Sequence, residues 1–307
     1  MSLAHSVNSA GSVARRVLGD YVLPVGPAIY AAIMYAVGDL RAEHIGIAIV
    51  ALILGFASAW TKRALIAAAP AILIVLVYDL VRYVRPYFVV PSRVLGCEMR
   101  DFDLRWFGVG PDTTLSDYFA THHWPAVDLW LSIPYGTFFA VTILYCVYLY
   151  FADRPRLDRY LWTLALVYAI AIVVWLAVPV APPWYLREHG CAILSGILPD
   201  PAGLIRVDRM LGIHYFYDFY VRGPDVYAAL PSLHCAFPAV GVATAWRVAT
   251  WRTWPFHLLY LGTMFAASVY FGHHWIVDGL AGWLAVLVSA LIVDRAARRA
   301  ARKPVTA

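Results

Sequence analysis

The stretch that decides the fold is Trp275–Val293, which reads WIVDGLAGWLAVLVSALIV and contains a single charged residue, Asp278. A helix needs about 20 largely apolar residues to cross the hydrocarbon core of a bilayer, and this run approaches that length. Because such runs recur along the chain, we predict an all-α fold, a polytopic membrane helical bundle with about eight transmembrane helices. The other seven runs are Tyr21–Val37, His44–Trp60, Ala64–Tyr83, Val127–Phe151, Tyr160–Val180, Ala228–Ala249 and Pro255–Phe271.

The composition of the whole chain agrees with these runs. Of its 307 residues, 62% are hydrophobic and 14% are charged, whereas soluble domains carry about 25% charged residues. We therefore predict a single integral membrane domain over residues 1–307. The net charge of +5 comes from arginines in short loops beside apolar runs, a pattern that indicates membrane topology and argues against nucleic acid as a partner.

The basic residues also orient the predicted helices. Under the positive-inside rule, short basic segments between helices are cytoplasmic. This puts both termini in the cytoplasm of a multi-pass plasma-membrane protein and predicts interfacial helices in two long outer loops, residues 84–126 and 181–227. The outer ends of the helices then carry His234 and His274, so we expect an extracytoplasmic site. The basic segments contain Arg15 and Arg16, Lys62 and Arg63, Arg154, Arg156 and Arg159, Arg247 and Arg252, and the tail from Arg295 to Lys303.

Two of the four cysteines fall on these outer loops. Cys97 and Cys191 would form a disulfide that persists in an oxidising compartment, with two separate free cysteines as the alternative. The sequence contains no CxxC pair, so we predict no zinc site.

Polar residues with catalytic chemistry cluster near the ends of three predicted helices. His234 follows Pro231 and Ser232, and His274 precedes Asp278 by four residues. Ionisable residues at membrane depth are costly and indicate function. On a helix, residues four apart share a face, so Asp278 would fix the tautomer of His274 and leave its other nitrogen free to attack. His234 would then act as acid and base; the alternative for any one histidine is a bond to a backbone carbonyl.

The motifs around these residues resemble the type 2 phosphatidic acid phosphatase superfamily, and most closely its inositol phosphorylceramide synthase branch. The similarity covers about residues 179–282. It implies a six-helix catalytic core with His274 as nucleophile, Asp278 as its orienting residue, His234 as acid and base, and neither metal nor cofactor. The matching residues are Pro182-Pro183-Trp184-Tyr185, Gly203 to Asp208 with Gly212, Leu230 to His234, His273-His274, Asp278, Ala281 and Gly282.

The resemblance also implies a reaction. Members of this branch move phosphoinositol from phosphatidylinositol to a ceramide hydroxyl and release diacylglycerol. We therefore expect a membrane phosphotransferase of sphingolipid metabolism, acting through a phosphohistidine, with a phospholipid donor and a lipid acceptor that is ceramide or another lipid alcohol. The alternatives are a lipid phosphate or polyprenyl pyrophosphate phosphatase with the same three residues, and a proton-coupled transporter.

The sequence departs from the phosphatases at the positions that bind phosphate. Their Ser-Arg pair before the nucleophile is Ala267-Ser268 here, and Tyr78 occupies the lysine position that precedes Arg85-Pro86. Another arginine must therefore bind the phosphate, because guanidinium groups suit bidentate phosphate contacts. The candidates are Arg82, Arg85, Arg187, Arg206, Arg209 and Arg222, of which we favour Arg85 and Arg206.

Other side chains are predicted to contact the substrate headgroup. Asp208 would accept hydrogen bonds from a polyol headgroup, with a salt bridge to Arg206 or Arg209 as the alternative. Ser232, His273 and Tyr185 complete the predicted binding residues.

Overall fold

The computed structural model describes residues 18–246, 248 and 250–302. Arg15, Arg16, Arg247 and Lys303, which contribute to the predicted topology, lie outside these ranges. The described ranges contain helices and no β-strand, which confirms the all-α prediction.

The helices are numbered in chain order. Each of the eight predicted spans overlaps an α-helix, and the other five α-helices in the described ranges are short and lie in the two long loops. The bounds are α1 Leu23–Ala36, α2 Ala42–Phe56, α3 Ala59–Phe88, α4 Cys97–Phe107, α5 Leu115–Thr121, α6 Pro125–Ala152, α7 Arg154–Ala177, α8 Pro183–His189, α9 Ile205–Leu211, α10 Tyr215–Tyr220, α11 Leu233–Ala245, α12 Trp254–Tyr270 and α13 Ile276–Arg302.

Four helices, α3, α6, α7 and α13, are long and apolar enough to cross a membrane by length and composition. The other four predicted spans are helices of 14, 15, 13 and 17 residues, which is short of the roughly 20 residues that a span needs. In α1 the prolines at positions 24 and 27 account for part of this shortness, because proline is favoured near a helix start and disfavoured inside it.

The four long apolar helices identify the chain as a membrane protein.

The chain divides into two compact units, Met1–Leu73 and Ile74–Ala307. In the first unit α1 packs against α2, and Gly55 lies so close to Pro24 that a side chain there would collide with the proline ring. Lys62 Nζ lies 3.0 Å from Asp20 Oδ1 in the same unit. The single domain over residues 1–307 stays a prediction.

In the second unit α11 packs against α6, α7, α12 and α13. Small residues permit this close approach, as they do at helix interfaces within membranes. A Cβ atom at Gly282 of α13 would collide with the carbonyl oxygen of Ser232, and one at Gly279 would collide with the ring of Phe265. The first turns of α11 and α13 therefore lie against each other, which brings their polar residues together.

The two long loops pack on one another at the start of α13. A disulfide joins Cys97, the first residue of α4, to Cys191 after α8, as the sequence hypothesis proposed. Val180 forms parallel bridges with Leu95 and with Ala228. Trp275 is buried among these segments, and its indole Nε1 donates to the carbonyl of Ala181 at 2.9 Å. The loops thus form a packed structure that holds the turn before α13.

Candidate active site

The start of α11 positions His234. Ser232 is the N-cap: its hydroxyl accepts a hydrogen bond from the amide of Cys235 at 3.3 Å, which is the usual role of serine at this position. The amide of Ser232 donates to the carbonyl of Asp278 at 2.9 Å, and the side chain is fully buried. Ser232 thus ties α11 to α13; the substrate contact assigned to it stays a prediction.

The turn between α12 and α13 positions His274. Gly272 has φ +79°, a conformation that glycine adopts without the steric cost other residues incur. The amides of His273 and His274 both donate to the carbonyl of Ser268 at 3.1 Å. This turn directs His274 toward the first turn of α11.

The structure brings the three predicted catalytic side chains together. His234 Nδ1 lies 3.2 Å from His274 Nε2. His274 Nδ1 lies 2.9 Å from the carbonyl oxygen of Ala229 and 3.6 Å from Asp278 Oδ2. The hydrogen-bond partner of His274 Nδ1 is therefore the Ala229 carbonyl. The predicted partner, Asp278, lies farther away and within ion-pair distance. Sequence reasoning missed Ala229 because a backbone carbonyl has no residue signature.

The Ala229 carbonyl determines which nitrogen of His274, and then which nitrogen of His234, carries a proton. The Ala229 oxygen can only accept, so His274 Nδ1 carries a hydrogen and Nε2 of the neutral ring carries a lone pair. His234 Nδ1 must then donate to that lone pair. Its Nε2 is left to accept from the hydroxyl of Tyr220, whose oxygen lies 3.3 Å away. The lone pair of His274 Nε2 and the N–H of His234 Nδ1 thus face one another.

Two carboxylates lie at the N-terminus of α13. Asp278 is fully buried, and its Oδ2 accepts from the amide of Trp275 at 2.8 Å. Asp103 of α4 is also buried, and its Oδ1 accepts from the amide of Ile276 at 3.0 Å. Unpaired amides and the helix dipole favour negative charge at this end, while burial raises the pKa of Asp103 to about 6. Asp103 holds the start of the helix that carries Asp278.

Aromatic rings enclose His273. The Tyr220 ring stacks on it with centroids 4.4 Å apart, and the Tyr135 ring lies 5.5 Å away in a parallel orientation. His273 Nε2 lies 3.3 Å from the carbonyl oxygen of Asp200. Burial lowers the pKa of His273 to about 3, so the ring is neutral near pH 7. Its predicted contact with the headgroup stays a prediction.

Arg206 and Asp208 have different partners from those expected. Arg206 pairs with the buried Asp128 of α6 through two nitrogens, with Nη2 2.7 Å and Nε 3.1 Å from Oδ1. Asp208 accepts from the amides of Phe216 and Tyr217 at 3.1 and 2.9 Å. The alternative of a salt bridge from Asp208 to Arg206 is therefore wrong, because Asp128 takes that guanidinium.

Arg85 and Tyr185 belong to a second polar group. Arg85 Nε lies 2.5 Å from Asp225 Oδ1, and burial raises the pKa of Asp225 although Arg85 opposes the rise. The Tyr185 hydroxyl donates to the Ala192 carbonyl at 2.9 Å and accepts from the Tyr227 hydroxyl at 3.1 Å. These two residues hold the loops around the turn, and their contact with substrate stays a prediction.

Comparisons with known proteins agree on one family. The profile of the PAP2 superfamily matches residues 102–292. The chain is 31% identical over 260 residues to the phosphoinositol dihydroceramide synthase of Bacteroides thetaiotaomicron. The aligned region covers 83% of this chain and 85% of that protein. The chain is 25% identical over 174 residues to the inositol phosphorylceramide synthase of Candida albicans, 55% of this chain and 36% of that protein. The inositolphosphotransferase 1 of Saccharomyces cerevisiae is 35% identical over 99 residues, 31% of this chain and 19% of that protein. No solved structure matches.

Proposed function

The chain belongs to the PAP2 superfamily, and from that premise we propose that it is a membrane phosphotransferase for lipid headgroups. It moves phosphoinositol from phosphatidylinositol to the hydroxyl of ceramide or a related lipid alcohol and releases diacylglycerol. The printed names of its relatives support this choice of donor and acceptor.

One observation carries the proposal. His274 Nε2 and His234 Nδ1 face each other across 3.2 Å, with a lone pair on the first and a proton on the second. A covalent nucleophile needs a neighbouring acid–base group directed at the same reacting atom. A phosphate that enters between the two rings would contact both nitrogens.

The first half of the reaction forms a phosphohistidine. The anionic substrate favours a second proton on His234 at Nε2, since a nearby opposite charge stabilises the charged form. His274 Nε2 attacks phosphorus, the bond from phosphorus to the diacylglycerol oxygen breaks, and His234 gives its Nδ1 proton to that oxygen. The phosphorylated ring keeps its Nδ1 hydrogen toward Ala229 and has Asp278 3.6 Å away to stabilise its charge.

The second half returns the site to its starting state. Neutral His234 takes the proton of the acceptor hydroxyl while that oxygen attacks phosphorus. The bond from phosphorus to His274 then breaks, which restores the lone pair on Nε2. Exclusion of water by the membrane would disfavour hydrolysis of the intermediate, so transfer to a lipid alcohol would be favoured.

The predicted binding residues contribute charge and shape. Arg206 lies beside the turn that carries His274, with its Cζ atom 5.8 Å from the Phe271 ring centroid. Because Asp128 balances much of its charge, we propose that Arg206 contacts the headgroup through its remaining hydrogen-bond donors. Arg85, which pairs with Asp225, is our second candidate for contact with the headgroup. Asp208 and Tyr185 shape the segment that covers the substrate.

We also propose that the protein is in the plasma membrane with both termini cytoplasmic and the site extracytoplasmic. The Cys97–Cys191 disulfide lies in the same two loops that pack around the nucleophilic turn. Because disulfides persist mainly in oxidising compartments, this bond supports an outward-facing site.

The test is headgroup transfer by the purified protein in mixed micelles, with phosphatidylinositol labelled in the inositol ring. We expect a new labelled lipid that appears only with ceramide and is absent with His274→Ala. His257→Ala, a histidine substitution at the opposite end of α12 from the turn that carries His274, is the matched control and should leave transfer intact. Water-soluble label without an acceptor would support the phosphatase alternative, and full activity of His274→Ala would exclude this site.

A further inference from the structure

The guanidinium of Arg187, on α8, lies directly against the nucleophilic turn. A Cβ atom built at Gly272 would collide with Arg187 Nη2 and would lie 3.3 Å from Nη1. The amide of Trp184, on the same helix, donates to the carbonyl of Gly272 at 2.9 Å. Both contacts are with the residue two positions before His274, so α8 holds a positive charge beside the nucleophile.

The contacts of Arg187 leave much of its charge unbalanced. Its Nη1 donates to the hydroxyl of Ser116 at 3.0 Å, which is a neutral partner. Among the described residues, Asp117 has the one carboxylate within 4.0 Å, at 3.8 Å. That carboxylate also accepts from Arg100 Nη2 at 3.3 Å, so its charge is shared between two arginines.

Arg187 differs in this respect from Arg206, the other arginine beside the turn. Asp128 binds Arg206 through two nitrogens at distances down to 2.7 Å, so the charge of Arg206 is largely compensated. Burial, together with the charge of Arg206, lowers the pKa of Arg187. Its side chain nevertheless remains 27% exposed, so a ligand reaches it. A partly desolvated guanidinium with free donors suits a phosphate, which it binds in a bidentate manner.

We propose that Arg187 binds the phosphate that is transferred and takes the place of the arginine that the sequence lacks at Ser268. The inference rests on the proposed function, since the phosphate of the donor lipid is its ligand. Arg187 reaches the turn from the loop helix α8, whereas residue 268 would reach it from α12. Ser116 orients the guanidinium and is a positioning residue.

Two readouts test this inference. In the transfer assay, Arg187→Ala should lower kcat/KM by roughly 10- to 100-fold, the loss expected for charge-assisted hydrogen bonds. Arg187→Lys should recover part of the activity, because lysine keeps the charge and loses the planar fork. Arg105→Ala, which removes an exposed arginine from the loop helix α4, is the matched control and should behave as wild type.

The second readout is independent of the lipid substrate. Orthovanadate, a phosphate analogue, should raise the melting temperature of the wild type and of Arg105→Ala and should leave that of Arg187→Ala unchanged. An equal shift in wild type and Arg187→Ala, a shift in neither, or wild-type transfer by Arg187→Ala overturns the inference. A wild type that binds orthovanadate through Arg187 and transfers no inositol headgroup would refute the proposed function and retain the phosphate site.

Discussion

Replacing Asp278 with asparagine separates two roles of this residue. The amide oxygen of asparagine still accepts the hydrogen bond from Trp275, which is 2.8 Å long. The negative charge beside His274 is lost. The Ala229 carbonyl, 2.9 Å from His274 Nδ1, still fixes the tautomer, so the substitution isolates the contribution of charge.

The magnitude follows from the distance. Two unit charges 3.6 Å apart interact with about 5 kcal/mol at an effective dielectric constant of about 20. Each 1.36 kcal/mol or so changes a rate about tenfold, which sets a ceiling of several thousandfold. Because the imidazole charge is only partly developed in the transition state, we expect kcat to fall between about a hundred- and a thousandfold.

The assay is single-turnover and steady-state transfer of labelled phosphoinositol to ceramide. Asp294→Asn is the matched control: it makes the same chemical change on the same helix, where Asp294 Oδ2 accepts from Arg159 Nη2 at 2.9 Å. It should leave kcat unchanged. If folded Asp278→Asn kept more than about a tenth of wild-type kcat, the charge argument would be refuted and the Ala229 carbonyl would suffice.

Three further predictions concern groups around the site. Tyr220→Phe removes the hydroxyl 3.3 Å from His234 Nε2 and should lower kcat about fivefold, the effect of one hydrogen bond of about 1 kcal/mol; an unchanged kcat would contradict the proton arrangement. Burial raises the pKa of Asp103 to about 6, above its value in the unfolded chain, so ionisation destabilises the fold as the pH rises from about 4 through about 6. Asp103→Asn should therefore melt with the wild type near pH 3.5, below the pKa of the unfolded chain, and above it at pH 7.5, by up to about 3 kcal/mol in stability; a lower melting temperature at pH 7.5 would show that the charge is needed. Thiol labelling of the denatured, unreduced protein should find Cys146 and Cys235 only, and reduction should add Cys97 and Cys191; four thiols without reduction would exclude the disulfide.

The helices and the three central side chains were accessible from the sequence because both signals are local. A run of apolar residues predicts a helix in lipid from its own composition. His274 and Asp278 are one helical turn apart, so their proximity depends on no other part of the fold. The pattern around His234 came from a motif at one position in the chain. These features needed no knowledge of how the helices pack.

The partners of these side chains were not accessible, since they come from distant segments. Asp103 reaches Ile276 across 173 positions and Arg206 reaches Asp128 across 78. Nothing in the apolar pattern indicates that α4 lies against the start of α13. Arg187 was one of six candidate phosphate-binding arginines, and the position of Gly272 against its guanidinium distinguishes it.

In the proposed function, three residues at the helix ends carry the chemistry and other residues bind the lipid. This separation of roles would allow the same three residues to act on different lipid substrates. His234, His274 and Asp278 lie in the first turns of α11 and α13 or just before them, and their fixed partners include backbone groups of Ala229 and Trp275. Such partners do not reorganise during the reaction, so they stabilise charge at low cost. The arginines and the remaining polar groups come mainly from the long loops, which vary more readily than helices. Under the proposed function, the helix ends would therefore set the chemistry, and the loops that pack over them would set the choice of headgroup and acceptor.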